Sequence, residues 1–152
     1  MPLLSLAKIR RNDIASALER ALAPFSDQIP CRDKRILIKP NLVEPLPCSS
    51  GQTTNPELVE ALVLWCRSKG ATEIAIGEGP SYFQPRRDLN ACFERTGMAA
   101  VARRQGIRWI LFDDGRFRTF RKYSPETPPV FNLSEHAFCW DHIINVPVPK
   151  PH

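Results

Sequence analysis

Lys39 and Asn41 follow directly on the apolar run Ile36-Leu37-Ile38, and Gly51-Gln52-Thr53-Thr54-Asn55 leads into Pro56. An ammonium, three side-chain amides and two hydroxyls are the donors that would hold a phosphate or a carboxylate. A helix starting at Pro56 would add backbone N–H groups and the positive end of its dipole. Farther along, Glu78 stands between Gly77 and Gly79, where a carboxylate could act as general base or ligand anchor. Asp113-Asp114 and, at the end, Lys150 and His152 are further polar groups of this kind. Each has a plainer use as well. Thr54 and Asn55 can simply cap the helix, Lys39 can pair with Glu78, and Glu78 can be an exposed turn carboxylate.

Several chemistries are excluded. The sequence has no GxxxxGK[ST] phosphate loop, and Gly77-Glu78-Gly79 lacks the third glycine and the helix placement of a dinucleotide fingerprint. The two glycines imply a tight turn and close backbone approach. Cysteines 31, 48, 66, 92 and 139 are scattered, with no CxxC pair, no zinc spacing and no ferredoxin run, so no metal site is expected. Cys66 and Cys92 fall on apolar helical patterns and read as packing residues. His136 reads as a surface residue, and no nucleophile–base pair has the context of a hydrolase.

These residues need elements to position them. Asn12-Asp13 caps a helix ending near Ala23, with Pro24 as the stop. Arg35 to Lys39 is a strand buried on both faces, and Pro56 to Ser68 a helix with Leu58, Val59, Leu62, Trp65 and Cys66 on one stripe. Gly70 stops that helix, and Glu73 to Gly77 is the second strand. Asp88 caps a helix through Phe93, and another runs from Met98 to Gln105. Ile107 to Phe112 is a third strand and His142 to Val146 a fourth. Phe117 to Tyr123 and Val130 to Leu133 suggest a hairpin between them. Strand–helix alternation at this spacing gives right-handed βαβ units. The expectation is an α/β fold, a Rossmann-like three-layer domain with a mostly parallel sheet of about four strands and a short β excursion near 117–133. Residues 1–152 form one domain. In such sheets ligands bind beyond the carboxyl ends of the strands, and there Lys39, Asn41, Thr53, Thr54, Asn55, Glu78 and Lys150 would gather. The connection from Pro40 to Asn55 is much longer than the roughly 2–6 residues such a link needs; wrapping over a ligand would explain it.

Hydrophobic residues make up 43% of the 152, which is the composition of a folded globular chain. No apolar stretch approaches the roughly 18 residues of a membrane span, and the start lacks a secretory pattern, so the expected location is the cytoplasm. The formal net charge of +5 fits anionic ligands, but the arginine runs near 103–104 and 116–122 are short and lack aromatic interleaving, which disfavours nucleic acid.

Ile36 to Leu42 with Thr53-Thr54-Asn55-Pro56-Glu57, Gly70-Ala71, Ile74 to Pro80, Phe93 to Gly97 and Asp141 to Pro147 with Lys150, taken in this order, resemble the domain of unknown function 362 family. The resemblance implies a bacterial or archaeal cytoplasmic α/β protein whose activity is not established, often joined to ferredoxin-type iron–sulfur modules. This chain lacks the cysteine run, so no iron–sulfur cluster is expected in it. Family members usually continue past this point, and Pro151 replaces a threonine common before the last histidine, which implies a counterpart of their N-terminal half, whether a natural short form, one part of a split protein or a fragment. Two functions follow as expectations. One is binding of a small phosphate- or carboxylate-bearing ligand at the strand edge. The other is a non-catalytic docking module for a redox, iron–sulfur partner or a missing C-terminal half, with homo-oligomerisation as one sign of it.

Overall fold

The computed structural model describes residues 4–79, 88–121, 126 and 130–149. Its centre is the strand Arg35–Pro40 (β1), in which Ile36, Leu37 and Ile38 are fully buried. Three consecutive buried residues mean that both faces of the strand are covered, as the unbroken apolar run requires. β1 pairs in parallel with Glu73–Glu78 (β2) on one side and with His142–Val146 (β6) on the other. Arg108–Leu111 (β3) extends the sheet beyond β2, so the order is β3-β2-β1-β6, all parallel.

Four helices supply the main core. Ile14–Leu22 (α1) starts at Asp13, whose carboxylate accepts from the Ser16 N–H at 3.0 Å. Pro56–Ser68 (α2) has the predicted bounds, and Asn55, not Thr54, caps it by accepting from the Glu57 N–H at 2.8 Å. Leu89–Arg95 (α3), capped by Asp88, and Met98–Gln105 (α4) follow, separated at Gly97, whose φ of 82° lies in the left-handed region where glycine is favoured. Val59, Leu62, Val63 and Cys66 of α2 and Met98, Val101 and Ala102 of α4 bury against Ile36, Ile38, Ile74 and Ile76. Cys92 is buried too, so Cys66 and Cys92 are packing residues as expected, and Cys48 is half-buried. Burial raises the Cys66 thiol pKa above its ordinary value, with the Cys31 thiol beside it.

The opposite face is built differently. Leu37, Ala75 and Ile110 lie under Trp140, with Phe112 packed against them. Trp140 follows a 3-10 segment, Glu135–Cys139, that leads on from a hairpin of Phe117–Arg121 (β4) and Val130–Ser134 (β5). Chain handedness explains the division. Going β1 to β2 to β3 moves one way across the sheet, so right-handed crossovers put α2, α3 and α4 on one face. Returning from β3 to β6 moves the other way and places the connecting segment on the other face. The hairpin is the predicted excursion, carrying Phe120 stacked between Phe131 and Phe138. Its Arg116 and Arg121 are exposed, while Arg118 pairs with Glu135 at 3.5 Å and sits over Phe138. Among the described residues no helix is long and apolar enough to cross a membrane.

Candidate functional site at the carboxyl edge

The strand order reverses between β1 and β6. The chain leaves β1 toward α2 on one face, while β6 is reached from the other, and a crevice opens outside the carboxyl ends at such a point. Lys39 and Asn41 stand there at the end of β1, and Glu78 ends the neighbouring β2.

Glu78 is 7% exposed and fully engaged. Its Oε1 lies 2.7 Å from Lys39 Nζ and accepts the Gly79 N–H at 2.8 Å, while Oε2 accepts the Leu42 N–H at 3.1 Å. The plainer expectation of an exposed turn carboxylate is therefore replaced by a buried anchor. A buried carboxylate is tolerated because a cation and two backbone donors replace its water. Lys39 differs, since its side chain is 36% exposed. Of its three protons, one goes to Glu78 and a weak contact reaches the Pro40 carbonyl at 3.4 Å.

Gly77 also has a use that the sequence left vague. A Cβ there would come within 2.9 Å of both Leu37 Cδ1 and Phe112 Cε1. The close approach is thus by side chains, and the missing Cβ leaves room for the Phe112 ring against the end of β2.

The long loop is closed at its neck. The Asn41 N–H donates to Thr54 Oγ1 at 2.8 Å, the Thr54 N–H to the Asn41 carbonyl at 3.1 Å, and the Asn41 side-chain amide to the Gln52 carbonyl at 2.6 Å. Thr54 Oγ1 then donates to the Val146 carbonyl at 2.8 Å, so one buried hydroxyl ties the loop to both β1 and β6. Thr53 is buried as well, bridged to Leu42 and 3.5 Å from the Glu44 carbonyl. Beyond the neck, a 3-10 turn at Cys48–Ser50 ends at Gly51, with φ 72°. The extra length is thus a self-contained loop, and Asn55 spends its side chain on the α2 cap.

The structure therefore brings Lys39, Asn41, Thr53, Thr54, Asn55 and Glu78 to one edge, with most of their bonds directed inward. Lys150 and His152 lie outside the described residues. Asp113 and Asp114 are exposed in the turn after β3, and His136 Nε2 donates to the Asp114 carbonyl at 2.5 Å. One residue was missed. Asn145 on β6 is in register with Lys39 and exposed. Its only signal in the sequence is a lone amide inside the apolar run Ile143-Ile144-Asn145-Val146. No group of histidine, cysteine or acidic residues that could hold a metal ion occurs among the described residues.

A family model described as Domain of unknown function (DUF362) matches residues 36–152. The chain belongs to this family. The DUF362 match begins inside β1 and covers every residue of the site, including the loop neck and β6. No curated protein and no solved structure matches the chain.

Proposed function

We propose that this DUF362 chain is a cytoplasmic domain that binds a small phosphate- or carboxylate-bearing ligand at the carboxyl edge of its parallel sheet. The observation that supports this reading is the Lys39 ammonium, which is half-exposed at the order reversal and only partly spent on Glu78. Glu78 beneath it holds the lysine head in place, which lowers the ordering cost of binding. The test is titration with sodium acetate and with inorganic phosphate at constant ionic strength, read by NMR at Lys39. Because Lys39→Ala alone would leave Glu78 buried without its cation, the companion variant is Lys39→Met with Glu78→Gln. Saturable binding by the wild type that is absent from the double variant is expected; equal affinity in both would remove Lys39 from the site.

A second reading, docking of a redox partner, a further domain or a second copy, is favoured by one observation. β6 is an edge strand without a charge in residues 142–146, and its Ile143 is 42% exposed. Native edges are usually guarded by charge or proline. A stable monomer that binds no apolar dye would count against this reading.

A further inference from the structure

We propose that Cys31 and Cys66 are a redox-active pair that closes to a disulfide when the chain meets a low-molecular-weight disulfide, bracing the approach to β1 against the end of α2. The pair stands at the amino end of the sheet and does not depend on the reading of the carboxyl edge.

The two cysteines come from separate segments. Cys66 lies in the last turn of α2, and Cys31 in the turn segment that precedes β1. Both thiols are free and belong to the main core, Cys31 being 2% exposed and Cys66 fully enclosed. A thiol–thiol hydrogen bond joins them. The backbone on either side holds them in place. The Asp33 N–H donates to the Gly70 carbonyl at 2.9 Å, and the Thr72 N–H to the Lys34 carbonyl at 2.9 Å. The turn after Cys31 is thus stitched to the residues just beyond Cys66. Gly70 makes this approach close, since a Cβ there would stand 3.6 Å from Arg32 Cα. A bonded S–S pair is about 2.05 Å apart, so closure asks only that sulfurs already in contact draw together.

The surroundings set which thiol acts first. Burial raises both above their ordinary value, which keeps them unreactive while the turn is closed. For Cys31 the bond from Cys66 and the Lys69 ammonium oppose that rise and favour the thiolate. Cys31 is also the easier to reach. It alone is buried among residues 27–34, so a local opening of that turn exposes its sulfur and requires no strand to unpair.

The chemistry is thiol–disulfide exchange. The Cys31 thiolate attacks one sulfur of the incoming disulfide and expels the other half, leaving a mixed disulfide. Once the turn closes, Cys66 attacks the Cys31 sulfur and expels the second half. Two protein thiols are oxidised to one disulfide, the small disulfide is reduced to two thiols, and the two protons end on those thiols. The new bond closes a loop from residue 31 to residue 66, around β1, the site loop and α2 up to its last turn. Less freedom in the unfolded chain then stabilises the oxidised form.

The experiment uses the full chain carrying Cys48→Ser and Cys139→Ser, which removes the two thiols that are not buried. It is incubated folded, and separately refolded from urea, in mixtures of reduced and oxidised glutathione; refolding bypasses the barrier that burial sets. The expected product has a mass lower by two hydrogens, no glutathione adduct, and a proteolytic peptide joining Cys31 to Cys66. Its melting temperature should be roughly 10 °C higher, a gain reversed by dithiothreitol. Cys66→Ala is expected to stop at a glutathione adduct on Cys31. An adduct on Cys66 in Cys31→Ala, with none on Cys31 in Cys66→Ala, would overturn the order of attack. Free thiols at both positions after refolding in oxidised glutathione, or a bond to Cys92 instead, would overturn the pair. A melting temperature unchanged or lowered by closure would overturn the brace.

Discussion

The two ends of the sheet carry similar charged groups and use them differently. At the amino end, Arg35 pairs with Asp141 at 3.2 Å and Arg108 with Glu73 at 2.9 Å, both with largely exposed side chains, and Arg67 bonds the half-buried Gln105 at 2.8 Å. A cavity of about 390 Å³ lies there, lined by Arg67, Thr72, Glu73 and Arg108 among others. Among the described residues of the carboxyl end there is a single ion pair, Lys39–Glu78, but its carboxylate is buried and holds two backbone N–H groups. A tally of charges would choose the amino end. Burial and bonding choose the other, because an exposed pair is shared with water, whereas a buried one fixes the chain around it.

This contrast predicts a graded series of losses in stability, measurable by urea denaturation. Glu78→Ala should cost the most, about 3 kcal/mol, since it orphans the Leu42 and Gly79 amides together. Glu78→Gln should recover part of that, and full stability in Glu78→Ala would break the comparison. Gly77→Ala should cost about 1–2 kcal/mol, because Leu37 and Phe112 must give way. Thr54→Val keeps the shape and removes both hydroxyl bonds, for about 1–2 kcal/mol. At the amino end, Glu73→Gln should cost less than about 0.5 kcal/mol, and a larger loss would show that the exposed pairs also hold the fold.

The dependence on pH should sharpen the same contrast. The Arg35 guanidinium and backbone N–H hold the Asp141 carboxyl below its ordinary value of 3.8, and Arg104 with Gln105 holds Glu60 below 4.5. Groups lowered in the folded state stabilise it fully above those ordinary values. That contribution is lost as the pH falls through the lower folded-state values. Stability should thus be level from neutral pH to about 5 and decline below about 4, with Asp141→Asn showing a shallower decline in acid denaturation.

Much of this was legible in the sequence because it is local. The bounds of α2 follow from Asn55, Pro56 and an apolar stripe, and the three buried residues of β1 from an unbroken apolar run. The pairing of Lys39 with Glu78 was foreseen as an alternative, since both sit at strand ends. What was not legible depends on which strands become neighbours. Nothing near residue 145 says that β6 will lie beside β1 in a register that sets Asn145 next to Lys39. The Thr54 hydroxyl was read as a ligand donor or helix cap, and its acceptor on Val146 is 92 residues away. The burial of Glu78 likewise depends on Leu42, just past β1, meeting it at the end of β2.

The bond from Thr54 to Val146 also orders events in time. β1, α2 and β2 can assemble from contacts between near neighbours in the chain, but this hydroxyl has its second partner only after the long return to β6. Closing so large a span is entropically slow. The anchor of the loop on β6 therefore sets last, and the amides of β6 should gain protection from hydrogen exchange in the slowest phase of refolding. The carboxyl edge is in this sense a latch: it takes its shape only when the last strand is home.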